Sequence, residues 1–144
     1  MTKSRHPLHP ALVHFPVACW SLATLADLAS LWLGQSAWWL AGVLLVIGTL
    51  TALAAMATGL IEYARIEAGN PAMRDANRHM LLVLAAWAFY AASLFLRLRG
   101  TTLTAPGWPA LATSLAGFLC LGAAGWMGGK LVYEHRLGGA KLPP

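Results

Sequence analysis

All five histidines of this chain lie at or just outside the ends of its hydrophobic segments, at positions His6, His9, His14, His79 and His135. Imidazole is a strong ligand for haem iron and for transition metals. Its neutral form also costs less in an apolar setting than a charged side chain does. If the chain crosses a membrane four times, all five histidines lie at the same membrane face. The spacing therefore predicts a haem or metal site at one end of a helical bundle.

The composition indicates that lipid is the main solvent of the protein. The 144 residues are 58% hydrophobic and only 10% charged, whereas about a quarter of the residues in a soluble domain are charged. The length allows one domain without a separate catalytic module, which favours an electron-transfer or accessory subunit over a stand-alone enzyme. The net charge of +5 is expected to set topology and to meet anionic lipid, and no nucleic acid partner is expected.

Four apolar stretches are each long enough to cross about 30 Å of hydrocarbon as a helix. The prediction is an all-α fold, a bundle of four transmembrane helices with both termini on the same side. Residues 1–144 form a single integral membrane domain, with helices at about 11–33, 37–64, 80–98 and 108–133. We call the face with the termini and the middle loop side A, and the opposite face side B.

Basic residues are divided unequally between these two faces. Side B has two arginines, whereas side A has eight basic residues, namely Lys3, Arg5, Arg65, Arg74, Arg78, Lys130, Arg136 and Lys141. Because cytoplasmic loops carry an excess of lysine and arginine, side A is predicted to be cytoplasmic. We therefore expect a multi-pass protein of a bacterial inner membrane with its termini in the cytoplasm.

Two histidines are predicted to share one haem b. His14 lies about one turn into the first predicted helix, and His79 lies at a similar depth at the start of the third. Two such imidazoles on facing helices could ligate the iron from both sides. The alternative ligands for haem or another metal are His135, His9 and His6. The predicted cationic partners of the haem propionates are Arg78, Arg136 and Lys130.

Two further patterns concern the packing of the helices. Asp27 lies well within the first span, towards side B and far from the histidines, so we expect it to pair with Arg97 or Arg99 or with a backbone group. Small residues at intervals of four indicate close approach of helices. They are Thr51, Ala55 and Gly59 in the second span and Gly125 and Gly129 in the fourth, with Gly122 and Gly128 nearby. The alternative is that these small residues leave room for a flat cofactor.

Both ends of the chain resemble motifs of the family called domain of unknown function 2231. Residues 6–16 read HPLHPALVHFP and resemble its opening motif, and residues 125–135 read GWMGGKLVYEH and resemble its closing motif. The Arg78-His79 pair fits as well, whereas Arg136 stands where the family usually has glycine. The resemblance covers essentially the whole chain. It implies a four-helix membrane protein, and relatives joined to cytochrome c or sugar dehydrogenase modules imply a redox setting.

These observations predict a membrane electron-transfer protein or subunit that binds haem b. Its expected surroundings are membrane lipid, a quinone or a partner oxidoreductase, and other subunits in a homo- or hetero-oligomer. One alternative is a cofactor-free membrane anchor or assembly subunit for a partner complex. The other is a membrane protein that binds a metal ion.

Overall fold

Four long helices form the part of the chain that the structure, a computed structural model, describes, which is residues 8–137. They are α1 (Leu8–Leu33), α2 (Gln35–Tyr63), α3 (Met73–Leu96) and α4 (Trp108–Tyr133). Each helix is long and apolar enough to cross a membrane. A segment in lipid must satisfy its own backbone hydrogen bonds, which a helix does. The predicted bundle of four transmembrane helices is confirmed.

Helix α3 begins at Met73, seven residues before its predicted start at 80. The amide of Ala72 donates to the side-chain oxygen of Asn70 (2.9 Å) directly before the helix. Asp75 lies in the first turn, where the positive end of the helix dipole stabilises a carboxylate. Hydrophobicity locates only the part of a helix that lies in lipid, and polar residues continue α3 beyond it. Helix α1 likewise begins three residues before its predicted start at 11.

The connections at side B are short and tightly folded. Gly34, at a φ of 65°, is the single residue between α1 and α2. The segment before α4 contains the antiparallel strands β1 (Leu98–Arg99) and β2 (Thr102–Leu103). The positive φ of Gly100 (62°) suits the tight turn between them. Leu103 then packs over Gly42 of α2, where an added Cβ would lie 2.8 Å from its side chain.

The helices associate as two antiparallel pairs, with α1 packed mainly on α2 and α3 mainly on α4. The two pairs pack together through α1 against α4 and α2 against α3, and long side chains of the diagonally opposed α1 and α3 meet in the centre. Near side B, Asp27 of α1 contacts Arg97, the residue after α3, so these two helices run in the same direction. The first turns of α1 and α3 and the last turns of α2 and α4 therefore share one end of the bundle.

The second helix pair repeats the first. Residues of α1 and α3 that occupy equivalent places are 70 positions apart: His9 and His79, Trp20 and Tyr90, Asp27 and Arg97. Residues of α2 and α4 in equivalent places are 69 positions apart: Ala41 and Ala110, Gly48 and Gly117, Ala55 and Ala124, Gly59 and Gly128. The bundle thus has an approximate twofold axis that runs along the helices, between α1 and α3.

An aromatic pair lies on this axis at mid-depth. The rings of Trp20 and Tyr90 stack with centroids 4.9 Å apart, and both side chains are almost fully buried. Gly48 and Gly117 make room for them, because an added Cβ would lie 2.7 Å from the Trp20 ring or 3.0 Å from the Tyr90 ring. The Tyr90 hydroxyl shares a 2.9 Å hydrogen bond with Thr24, so the polar end of the ring is satisfied within the core.

The glycines of α4 serve packing at other positions than predicted. An added Cβ at Gly125 would meet nothing within 4 Å, and at Gly129 only the Tyr133 side chain at 4.0 Å. The contact face carries Gly117 and Gly128 instead. The prediction for Gly125 and Gly129 was wrong because a spacing of four identifies residues that share a face without identifying which face meets a partner.

A buried ion pair joins the two helix pairs near side B. Arg97 donates to both carboxylate oxygens of Asp27, at 2.7 and 2.9 Å. Arg97 also donates to the carbonyl oxygen and the hydroxyl of Ser93. Both charged side chains are at most 2% exposed. The predicted pairing of Asp27 is confirmed with Arg97, and Arg99 is left exposed.

We predict that Asp27→Ala or Arg97→Ala lowers the free energy of unfolding by about 3 kcal/mol or more, because each leaves an uncompensated buried charge. Reversible unfolding in detergent micelles, followed by circular dichroism, measures the loss. The control is the double variant Asp27→Leu/Arg97→Met, which removes both charges and should unfold less readily than either single variant. Single variants as stable as the wild type would contradict the conclusion that this ion pair holds the two helix pairs together.

Candidate functional site

Two histidines occupy equivalent places near side A, and both are held by the partner helix of their own pair. His9 of α1 donates its Nδ1–H to the carbonyl oxygen of Ala55 in α2 (2.8 Å). His79 of α3 donates its Nδ1–H to the carbonyl oxygen of Ala124 in α4 (2.9 Å). Both imidazoles are partly buried. The same contact is thus built twice, once in each helix pair.

A glycine four residues after each carbonyl gives the imidazole access to the helix. An added Cβ at Gly59 would lie 2.8 Å from Cε1 of His9, and one at Gly128 would lie 3.2 Å from Cε1 of His79. Residues four apart lie on the same face of a helix. The absence of a side chain at this position therefore lets the ring reach a main-chain oxygen that a larger residue would cover.

The two imidazoles lie on the inner faces of diagonally opposed helices. His9 precedes Trp20 by 11 residues, and His79 precedes Tyr90 by the same number. Eleven residues make about three helical turns, so each imidazole lies on the same face as the aromatic ring and roughly 16 Å closer to side A.

The hydrogen bonds fix which nitrogen of each ring is free. A carbonyl oxygen can only accept, so Nδ1 carries the proton in both His9 and His79. In the neutral imidazole Nε2 then keeps its lone pair. A ring anchored through Nδ1 to a main-chain carbonyl, with Nε2 unprotonated, is the usual state of a histidine that binds a metal.

The interior between the imidazoles and the aromatic pair carries small or medium side chains. One turn above the histidines lie Val13 and Val83, again 70 positions apart, and both are partly exposed. Pro16 and Ala86, the next inner positions, are buried. The inner side chains at these two levels are thus smaller than that of Trp20, which is only 2% exposed.

His14 lies apart from this arrangement. It follows His9 by five residues, which turns it by about 140° around the helix axis. Its side chain is exposed, as is that of its neighbour Phe15. The structure therefore places His79 opposite His9, and the predicted pair of His14 and His79 is not brought together.

His135 also lies apart, in a charged cluster just beyond α4. Its Nε2 is 3.0 Å from the carboxylate of Asp75, and Nζ of Lys130 is 3.1 Å from the same oxygen. Arg78 lies at the edge of this cluster, with a guanidinium nitrogen 3.9 Å from Asp75. The cluster ties the end of α4 to the first turn of α3, and the bond to Asp75 occupies the Nε2 nitrogen of His135.

The remaining predicted metal ligand, His6, lies outside the described residues. Across residues 8–137, no group of three or more histidine, cysteine, aspartate or glutamate side chains is arranged to hold a metal ion. The two cysteines, Cys19 and Cys120, are free thiols. The described part of the chain thus offers two imidazoles at one place and single potential ligands elsewhere.

The equivalence of His9 and His79 is visible in the sequence only through the internal repeat. A histidine, an aromatic residue 11 positions later and a charged residue seven positions after that occur once from His9 and once from His79. The aromatic residues differ between the copies and the charges are opposite, so residue identity does not reveal the repeat. Helical spacing is the signal that would have found it.

Comparison with known proteins agrees with the membrane fold. The model of a family described as predicted membrane protein (DUF2231) matches residues 5–141. No curated protein and no solved structure matches the chain. The matched region covers nearly the whole sequence and includes both helix pairs with their histidines. The chain therefore belongs to the DUF2231 family of predicted membrane proteins.

Proposed function

We propose that the protein is a membrane electron-transfer protein or subunit that binds haem b between His9 and His79. The observation that carries the proposal is the repeated clamp, in which two imidazoles on opposed helices are each anchored through Nδ1 and have Nε2 free. Two histidines presented by facing helices are a common way to hold haem iron in a helical bundle. His9 replaces His14 as the proposed partner of His79.

The surroundings of the imidazoles fit a flat ligand with anionic edges. The partly exposed Val13 and Val83 offer apolar side chains one turn from the histidines, and the Trp20–Tyr90 stack lies beyond them towards side B. Lys130 lies at the side A end of the second helix pair, and it would offer positive charge to a propionate group.

The protein's own residues would orient the haem and set its environment. A haem b with two imidazole ligands supplies one-electron transfer at its iron. The carbonyls of Ala55 and Ala124 fix the ring orientation of the two ligands and make Nε2 more basic. The stacked Trp20 and Tyr90 would keep water from reaching the haem from side B.

The electron partner follows from the orientation that we propose. The basic residues favour side A in the cytoplasm, and the exposed positive charge at side B within residues 8–137 is reduced to Arg99, because Arg97 is buried against Asp27. The histidines would then be reached from the cytoplasmic face or from within the bilayer. A quinone or a membrane-bound oxidoreductase fits this position better than a cytochrome c on the other side.

A cofactor-free anchor or assembly subunit is the second candidate, and a specific observation favours it. Each histidine already makes a hydrogen bond that joins the two helices of its pair. Such a bond between transmembrane helices contributes about 0.6 to 2 kcal/mol by itself. In that case the imidazoles would act as structural links, and side A would serve as the contact surface for a partner complex.

We predict that the purified protein, supplemented with haem, shows a Soret band that shifts on reduction. His9→Ala and His79→Ala should each lose this spectrum, because only one of the two imidazoles that would hold the iron then remains. His14→Ala is the matched control, since its side chain is exposed on the same helix, and it should keep the wild-type spectrum.

Two outcomes would decide against haem binding at this place. A wild-type protein that remains colourless with haem present favours the cofactor-free subunit. Haem bound equally well by His9→Ala and by the wild type places the ligand elsewhere. Substitution by asparagine, which can donate to a carbonyl but is a poor iron ligand, separates the roles: His9→Asn should fold normally yet lose the band.

We further predict that the side-chain ¹⁵N shifts of haem-free protein at about pH 8 show Nδ1 protonated and Nε2 unprotonated in both His9 and His79. Gly59→Ala should perturb the His9 signals, because the new Cβ would lie 2.8 Å from the ring. Gly125→Ala, which adds a methyl group where nothing lies within 4 Å, is the control. Protonated Nε2 at both rings would contradict the proposed geometry.

A further inference from the structure

A shallow groove of about 350 Å³ runs between α3 and α4 at side A, lined by Arg78, Leu81, Leu82 and Met127. Three of its four lining side chains are apolar, and Leu81 is 64% exposed, so the groove opens to the surroundings of the bundle. In a transmembrane protein those surroundings are lipid chains. The groove therefore offers an apolar bed to a hydrocarbon chain that lies along the helices.

Positive charge is concentrated at one end of this groove. The Arg78 side chain is 52% exposed and lies 3.9 Å from its nearest carboxylate, that of Asp75, so most of its hydrogen-bonding capacity faces outward. Lys130 and His135 already bind Asp75 at about 3 Å and offset its charge. Arg74, one turn before Arg78 on α3, is exposed as well.

The internal repeat shows that the helix pair does not need these charges in order to fold. In the first helix pair the places of Arg78, Leu81, Leu82 and Met127 are taken by Leu8, Ala11, Leu12 and Thr58. The place of Lys130 is taken by Ile61. The histidine clamp and the aromatic layer form equally well in both pairs. Within residues 8–137, the basic end of the groove is therefore a feature of the second pair alone, and a ligand accounts for it better than scaffold packing does.

We propose that this groove is a binding site for an anionic phospholipid. One acyl chain lies along Leu81, Leu82 and Met127, and the headgroup phosphate accepts hydrogen bonds from the Arg78 guanidinium, with Arg74 beside it. Arginine binds phosphate through paired N–H donors, and basic pockets between transmembrane helices recognise anionic headgroups. The site is distinct from the clamp of His9 and His79, and it requires no haem.

The test measures lipid binding to delipidated, haem-free protein in detergent by native mass spectrometry, with phosphatidylglycerol and phosphatidylcholine as probes. The wild type should retain phosphatidylglycerol in preference to phosphatidylcholine. Arg78→Ala should weaken phosphatidylglycerol binding about fivefold, which corresponds to the loss of one basic contact near the membrane surface. Phosphatidylcholine binding should change little. Arg78→Lys should keep part of the preference, because it keeps the charge but loses the paired N–H donors.

Arg99→Ala is the matched control, since Arg99 is an exposed arginine at the opposite end of α3, and it should leave the lipid preference unchanged. A wild type without preference for phosphatidylglycerol overturns the proposal. An equal loss in Arg99→Ala and Arg78→Ala overturns it too, because it would indicate a diffuse attraction by net charge. Because haem is absent throughout, neither result depends on whether the protein binds haem.

Discussion

The buried ion pair between Asp27 and Arg97 is the contact on which the arrangement of the two helix pairs depends. In lipid there is no hydrophobic drive to bring helices together, so close packing and polar contacts must do so. A charge inside the bilayer is costly unless a partner neutralises it. Here the two residues come from different helix pairs, so each pair satisfies its buried charge only when the other is in place. The stacked Trp20 and Tyr90 continue the contact towards side A.

The ion pair between Asp27 and Arg97 also determines where the histidines face. Helices α1 and α3 meet along one column of side chains, and helical spacing carries that column from the ion pair to the aromatic pair and then to the imidazoles. Once Asp27 and Arg97 are joined, His9 and His79 lie on the inner faces at the other end. The layers therefore run from the ion pair near side B, through the aromatic pair at mid-depth, to the two anchored imidazoles near side A.

The internal repeat separates what the scaffold requires from what is particular to one half. Both helix pairs have the histidine, the carbonyl that receives it and the glycine that gives it access, and these features belong to the common scaffold. Within residues 8–137, the charged cluster around Asp75 and the basic groove beside Arg78 occur only in the second pair. Features shared by the two helix pairs therefore belong to the scaffold, and features found in one pair are specific to that half of the chain.

The sequence by itself determined the solvent, the number of helices and the partner class of Asp27. These follow from long apolar stretches and from the cost of a lone charge in lipid, which do not depend on distant contacts. It also placed the histidines at one end of the bundle. Only the tertiary structure decided that His9, and not His14, faces His79, that α3 begins at Met73, and that Gly128 rather than Gly125 receives a neighbour. Each of these depends on the rotation of a helix about its axis or on polar turns outside the lipid. The hydrophobicity pattern indicates neither the rotation of a helix nor its polar end turns, because these helices are apolar on nearly every face.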